Sequence, residues 1–233
     1  MNTVRLVIVN GGVSDPSSTR LLTDRIAQKS IDALTAGGGT VEVGTIDLGA
    51  LAVDIARSLV SGFPTGPVQS AIERLAGADA IIVGSPIYKA GLSGLFKSFI
   101  DLIDNDLLLA KPVILAATGG SARHAMVVDD HMRPLFAFLR TIPMPTSLYA
   151  APEDWGSADL GHRITRAATE LAAVIRSGAP TEIAAENWSR HEHQFAGNAT
   201  RADQTVGDLD FTSDLMRLAA GGAGTLGGEA PNA

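Results

Sequence analysis

The sequence predicts an α/β protein in which helices cover both faces of a five-stranded parallel sheet, a three-layer sandwich. Five short apolar runs, typical of strands that are buried on both faces, alternate with segments of helical periodicity. Every connection between two of these runs is long enough to hold a crossover helix. Glycine and proline mark the ends of several runs, where the chain must turn.

The first half of the chain supplies two strands and three helices. Residues 4–9 are nearly all apolar, and residues 40–48 alternate before turning apolar, so both are predicted strands. The first helix has its apolar residues at core spacing and ends before Gly37-Gly38-Gly39. The predicted helices cover residues 18–34, 51–60 and 68–76.

The central strand of the prediction is the apolar run at residues 80–83. Pro86 has no N–H and pushes Ser85 into an extended conformation, so we expect the strand to end at Gly84-Ser85-Pro86. A polar, glycine-containing loop over residues 84–94 then leads into a helix over residues 94–104.

The second half continues the alternation and completes the sheet. Its predicted strands cover residues 111–118 and 144–150, and its predicted helices cover residues 123–140 and 160–177. Right-handed crossovers between five strands favour the flavodoxin-like order 2-1-3-4-5. In such a sheet the ligand binds at the carboxyl ends of the strands, at the switch between strands one and three.

Composition limits the classes of function. The 233-residue chain has a net charge of −7, so nucleic acid is a poor partner. It has no cysteine, which excludes disulfides and thiolate chemistry and fits a reducing compartment. We expect neither a signal peptide nor a membrane span, and therefore a cytoplasmic protein. The predicted organisation is one flavodoxin-like domain over residues 1–178 and a polar, partly disordered tail over residues 179–233.

The tail contains two further patterns. Phe211 and residues 215–218 could form a short helix that docks on a neighbouring subunit. His191-Glu192-His193 has residue types that bind metals, but no third ligand is evident beside them, so we predict no metal site.

The loop over residues 11–20 is rich in hydroxyl groups and opens a helix. Free N–H groups at the helix start, the helix dipole and four side chains form a predicted anion cradle that suits one terminal phosphate. These side chains are Ser14, Ser17, Ser18 and Thr19. The loop has neither the lysine of a Walker loop nor a G-x-G-x-x-G pattern. The alternative interpretation is a helix cap with ordinary turn residues.

Two more loops are expected at the same edge of the sheet. The loop over residues 84–94 presents Tyr88 and Lys89 beside glycines, so a flat ring could approach the main chain closely. Gly119-Gly120-Ser121 places backbone donors where they could face a carbonyl edge. Each loop alone could be a solvated turn. Together, a phosphate cradle after strand one and ring-binding loops after strands three and four describe an FMN site.

The sequence resembles the NAD(P)H-dependent FMN reductase family of flavodoxin-like proteins over about residues 3–178. The stretch from Gly84 to Asp101 and the ATGGS pattern at residues 117–121 carry the resemblance. The sequence is most similar to the branch that supplies reduced flavin to luciferase-like or alkanesulfonate-type monooxygenases. The resemblance implies FMN and NAD(P)H as cofactors, and a dimer or tetramer built on the helices after strands three and four.

The resemblance also assigns binding residues. It implies that the four hydroxyl residues of the first loop hold the phosphate, and that seven residues of the other loops hold the isoalloxazine ring and ribityl chain. The seven are Pro86, Ile87, Tyr88, Lys89, Gly119, Gly120 and Ser121. No catalytic side chain is predicted, because hydride passes directly between the stacked rings.

Charged residues near the loops raise separate questions. Many members of the family have an arginine where this chain has Asp15, so we expect Asp15 to point away from the phosphate and Arg20 to supply the positive charge. Weak flavin binding would suit an enzyme that releases FMN. Arg123 and His124 are candidates for binding the nucleotide phosphates, with a solvated helix start as the alternative.

Two other functions stay open at this point. One is a quinone, azo or chromate reductase that retains FMN, and the other is a non-catalytic, flavodoxin-like electron carrier. Flavodoxins stack aromatic residues on both faces of the flavin, whereas only 5% of this chain is aromatic. The scarcity favours a reductase with one ring face open to nicotinamide. Preference between NADH and NADPH is not predicted.

Overall fold

A parallel sheet forms the centre of the protein and has the predicted flavodoxin-like order. The computed structural model describes residues 3–188. Its strands are β1 (Thr3–Asn10), β2 (Thr40–Asp47), β3 (Ala80–Tyr88), β4 (Gly91–Leu92), β5 (Pro112–Thr118), β6 (Ile142–Pro143) and β7 (Leu148–Ala150). Strands β2, β1, β3 and β5 lie side by side in that order, and β6 and β7 both pair with β5. All these pairs are parallel, whereas β4 pairs antiparallel with β3.

Helices pack on both faces of this sheet, which confirms the three-layer sandwich. They are α1 (Ser18–Thr35), α2 (Ala52–Ser61), α3 (Gly66–Ala76), α4 (Gly94–Ile100), α5 (Arg133–Phe138), α6 (Ala158–Ser177) and α7 (Ala179–Trp188). On one face, Ile8 and Ile82 of the sheet pack with Leu22 of α1 and Ile164 of α6. On the other face, strand residues of opposite parity pack with α2, α3, α4 and α5.

The predicted end of the central strand at residues 84–86 is wrong, because β3 continues through Pro86 to Tyr88. The Gly84 carbonyl accepts from the Gly11 N–H at 2.7 Å, so the polar groups of Gly84 face the β1 side of the strand. Backbone groups two residues apart face the same side, so the nitrogen of Pro86 also points that way. Pairing with β1 has already ended at Gly84, so no bond is lost to the proline.

The predicted helix over residues 123–140 is also wrong as one continuous element. It consists of a 3₁₀ turn at Ala122–His124, a π turn at Val128–Met132 and the short α5. The Arg133 N–H bonds to the Val128 carbonyl, five residues back. Pro134 explains the break, since a proline in a regular helix clashes with the carbonyl four residues before it.

The predicted strand over residues 144–150 forms only in its last part, and the additional short strands β4 and β6 raise the number of strands from five to seven. β6 lies before it and β7 takes its last three residues, separated by a segment that contains Pro145. In that segment the Thr146 N–H and hydroxyl bond to Glu170 at 2.9 and 2.7 Å. Side-chain partners therefore replace the ladder where proline offers no donor.

After α6 the chain continues directly into α7, and the predicted domain boundary at residue 178 stays a prediction. The expected short helix around residues 211–218, the His191-Glu192-His193 pattern and the predicted disorder of the tail lie outside the described residues. Within residues 3–188, every helix is too short or too polar to cross a membrane.

Candidate functional site

The three predicted loops meet at one edge of the sheet. Asn10 of β1 pairs in register with Gly84 of β3, which pairs with Ala116 of β5, so the carboxyl ends of the three strands are level. The first loop is joined to the second by the hydrogen bond between Gly11 and Gly84. The start of α1 is joined to the end of β5 by a buried bond of 2.7 Å between the hydroxyls of Thr19 and Thr118.

The first loop is held in place by its own polar groups. The Gly12 N–H donates to the Asn10 side chain at 3.1 Å, and a Cβ at Gly12 would overlap the Ser17 hydroxyl, so only glycine fits there. Ser17 caps α1 by accepting from the Arg20 N–H at 3.2 Å. This packing brings the loop close to the first turn of the helix.

The four hydroxyl residues of the first loop therefore differ in what they can offer. Ser14 and Ser18 are exposed, whereas Ser17 is committed to the cap and Thr19 is only 2% exposed. Within residues 3–188, the N–H groups of Ser18 and Thr19 donate to no acceptor. Any anion held here would be bound mainly by these main-chain donors and by the exposed hydroxyl of Ser18.

Arg20 lies in the first turn of α1 but is paired with two carboxylates. Its Nε lies 2.9 Å from both oxygens of Asp24, and its Nη1 lies 2.6 Å from Asp47. The hydrogen bond to Asp24, with the charges of Asp24 and Asp47, raises the pKa of Arg20 above its usual value despite partial burial. The positive charge predicted for the anion site is thus largely compensated.

The second loop is a tight hairpin. Pro86 and Ile87 are buried at the end of β3, Tyr88 is 53% exposed, and Lys89 and Ala90 form the two-residue turn to β4. Both turn residues have positive φ angles, 51° and 62°, as a type I′ hairpin turn requires. Since such angles are unfavourable for non-glycine residues, the turn is strained. It presents the Tyr88 ring at the edge of the sheet.

The third loop depends on a residue that the sequence analysis did not identify. Tyr149 of β7 donates from its hydroxyl to the Ser121 carbonyl at 2.6 Å. A Cβ at Gly119 would overlap that hydroxyl, whereas one at Gly120 would meet nothing within 4 Å. Gly119 thus fits against the tyrosine, and Gly120 leaves main chain open to a ligand.

Tyr149 keeps its proton over the ordinary pH range. Burial first, and then the nearby carboxylates of Glu153 and Asp154, raise its pKa above the usual value. The sequence signal that could have identified Tyr149 is a tyrosine in a predicted buried strand beside a glycine-containing loop. Arg123 and His124 lie on the 3₁₀ turn that follows the loop.

A cavity of about 1160 Å³ lies at the opposite edge of the sheet, beside Arg5, Asp79 and Lys111. Two of its charged side chains are already paired: Lys111 donates to the carbonyls of Ala76 and Ala78 at 2.8 and 2.6 Å, and Asp79 accepts from the Arg5 N–H. Ligands of parallel α/β sheets bind at the carboxyl edge, so the loops described above are the better candidate.

The site can hold an anion and a planar ring but offers little acid–base chemistry. Main-chain donors at the start of α1 suit a phosphate, and the open main chain at Gly120 with the Tyr88 ring suits a flat heterocycle. The hydroxyl of Tyr149 is already engaged with a carbonyl. The chemistry would therefore come from the bound molecules.

Comparisons with known proteins show which proteins this chain is similar to. A family model described as NADPH-dependent FMN reductase matches residues 4–156. The NADH-dependent FMN reductase SfnF of Pseudomonas putida is 38% identical over 155 residues, which cover 66% of this chain and 81% of that protein. An FMN reductase (NADPH) of Pseudomonas aeruginosa is 33% identical over 169 residues, covering 72% and 88% of the two chains.

Solved structures show the same architecture. An oxidoreductase from Corynebacterium diphtheriae has a TM-score of 0.74 and 38% identity, and the match covers 76% of this chain and 99% of that one. The apo form of the NADH:FMN oxidoreductase EmoB has a TM-score of 0.62 at 22% identity, covering 73% and 89%. At 22% identity, the match to EmoB shows a shared fold and nothing about function.

Proposed function

The chain belongs to the family of NADPH-dependent FMN reductases, and from that premise we propose that the three loops at the carboxyl edge of its sheet are where FMN binds. The protein is an oxidoreductase that reduces FMN with NADH or NADPH. The observation that carries the proposed location is the meeting of the loops, joined by the Gly11–Gly84 bond and by the Thr19–Thr118 bond, each 2.7 Å long.

The residues present fit FMN in chemical type and in placement. The N–H groups of Ser18 and Thr19, with the Ser18 hydroxyl, would hold the phosphate. The main chain at Gly120 and Ser121 and the exposed Tyr88 ring would hold the isoalloxazine. When bound, FMN supplies the ring that accepts hydride from nicotinamide.

The contribution of the protein is binding and orientation. The loops would hold the flavin ring where the nicotinamide ring can stack on it, and such alignment supplies a large part of the rate in reactions of this kind. Backbone donors of the third loop would face the flavin ring and would favour negative charge on it. Tyr149 fixes this loop through its hydrogen bond to the Ser121 carbonyl, so it is a positioning residue and not a catalytic one.

The proposed biological role is to supply reduced FMN to a flavin-dependent monooxygenase in the cytoplasm. Release of FMN is supported by the compensated charge of Arg20, which leaves the phosphate with little cationic attraction. A reductase that retained FMN would benefit from a stronger phosphate site.

We also propose that the protein is a homodimer. A groove of about 430 Å³ lies between β4, α4, the π turn and α5, and is lined by Leu92, His131 and Leu135 among others. Phe138 lies about one helical turn after Leu135 on α5 and is 66% exposed, so apolar surface continues beyond the groove. Replacing Phe138 with glutamate should shift the molecular mass by light scattering from dimer to monomer, and an unchanged mass would place the interface elsewhere.

The function is tested by the oxidation of NADH and NADPH with and without FMN, FAD and riboflavin. We expect oxidation to depend on added flavin and the KM to be lower for FMN than for riboflavin, which lacks the phosphate. Absence of flavin-dependent oxidation would overturn the function. Equal KM values for FMN and riboflavin would instead overturn the phosphate site, and activity without added flavin would favour a retained cofactor.

A further inference from the structure

Arg20 is the one cation among the side chains of residues 10–24, and two carboxylates hold it. Its Nε contacts both oxygens of Asp24 at 2.9 Å, and its Nη1 contacts Asp47 at 2.6 Å. All three side chains are between a third and a half exposed. The network therefore lies at the surface, where a bound anion could compete for the guanidinium.

Asp47 connects this network to the loop that would hold the phosphate. Its other oxygen accepts from the Asn10 side chain at 2.6 Å, and Asn10 in turn accepts from the Gly12 N–H at 3.1 Å. Asn10 is buried. Asp47 thus has two roles, one in shaping the loop and one in holding Arg20, whereas Asp24 contacts this network, within residues 3–188, only through Arg20.

The charges around the helix start oppose the binding of an anion. The one positive charge of Arg20 is paired with two negative charges, those of Asp24 and Asp47. Main-chain N–H groups at a helix start attract anions, but a net negative charge on the neighbouring side chains opposes that attraction. The side chains of this site therefore reduce the preference for a phosphorylated ligand that the main chain provides.

We propose that Asp24 and Asp47 are specificity-determining residues: by pairing with Arg20 they compensate its positive charge and thereby lower the affinity for the flavin phosphate. The inference rests on the proposed FMN site and explains how the same site can exchange FMN as a substrate. It predicts that affinity for FMN, and not for riboflavin, is controlled by carboxylates that make no contact with the flavin ring.

The most direct test is Asp24→Asn, which removes one of the two negative charges paired with Arg20 and leaves the Asn10–Asp47 bond in place. Dissociation constants for FMN and riboflavin are measured by quenching of flavin fluorescence at low and high salt. We expect FMN to bind about threefold to tenfold more tightly at low salt, less so at high salt, and riboflavin to bind unchanged. Arg20→Gln should weaken the binding of FMN by a similar factor and leave the binding of riboflavin unchanged.

Asp32→Asn is the matched control, because Asp32 is on the same helix but pairs with Lys29 near its other end. It removes the same charge and should change neither constant. Unchanged or weaker FMN binding by Asp24→Asn, or equal changes for both flavins, would overturn the inference. Failure of the wild-type protein to bind any flavin would overturn the proposed function itself, which keeps the two results distinct.

Discussion

Replacing Gly119 with alanine should displace the third loop, and removing the hydroxyl of Tyr149 should relieve most of that effect. An alanine Cβ at residue 119 would overlap the Tyr149 hydroxyl. Without the hydroxyl, the nearest ring atoms would be Cζ at 3.3 Å and Cε2 at 3.5 Å, which is close but tolerable contact. The two substitutions are therefore expected to be strongly coupled.

The expected magnitudes follow from these contacts. Gly119→Ala alone should destabilise the protein by about 1–3 kcal/mol, the usual range for an overpacked site. Tyr149→Phe alone removes the 2.6 Å bond to Ser121 and should cost about 1 kcal/mol. The double variant should cost less than the sum by about 1 kcal/mol or more, because the added methyl group occupies the space of the lost hydroxyl.

Urea unfolding of the wild type, both single variants and the double variant measures this coupling, with Tyr88→Phe as a control at an exposed tyrosine. Titration with FMN and with riboflavin should show that Tyr149→Phe weakens both flavins alike, since the loop would hold the ring and not the phosphate. Additive costs would refute the packing argument. If Tyr149→Phe lowered the affinity for FMN and left the affinity for riboflavin unchanged, the placement of the ring would be refuted.

Two further predictions concern the Thr19–Thr118 pair at the site and the Asp129 carboxylate on the π turn. Thr19→Val leaves the Thr118 hydroxyl buried without its partner and should lower the free energy of unfolding in urea by about 1–2 kcal/mol. Valine at both positions should restore most of that stability, and no recovery would contradict the pairing. Burial alone would raise the pKa of Asp129, but hydrogen bonds from Ser147 and Arg133 outweigh it and lower the pKa. Asp129 thus stabilises the fold above about pH 4, and this contribution is lost as the pH falls through the folded pKa, so Asp129→Asn should unfold with a shallower pH dependence there. An unchanged slope would contradict that assignment.

The sheet order and the positions of the loops could be predicted from the sequence because they depend on local patterns. Apolar runs at residues 80–83 and 111–118 identify buried strands, and the crossover rules then order them. The effect of Pro86 could not be predicted in the same way. Whether a missing N–H ends a strand depends on which side it faces and on whether a neighbour is still paired there, and both are properties of the sheet.

The same limit applies to the side chains of the site. A run of hydroxyl residues predicts an anion cradle, but the sequence does not show that Thr19 is buried against Thr118 or that Arg20 is paired with Asp24 and Asp47. These partners are up to 99 residues away along the chain. The support of the third loop by Tyr149 is also a long-range contact, 28 residues from Ser121.

Hydrogen exchange of the wild-type protein with and without FMN tests the central claim most directly, because it reports every part of the backbone in one measurement. The account predicts slower exchange in the segments 11–19, 86–91 and 119–122 on addition of FMN. It predicts no change around Arg5 and Lys111, which line the cavity at the opposite edge of the sheet. Protection confined to that opposite edge, or absent from any one of the three loops, would contradict a single flavin site built from all three.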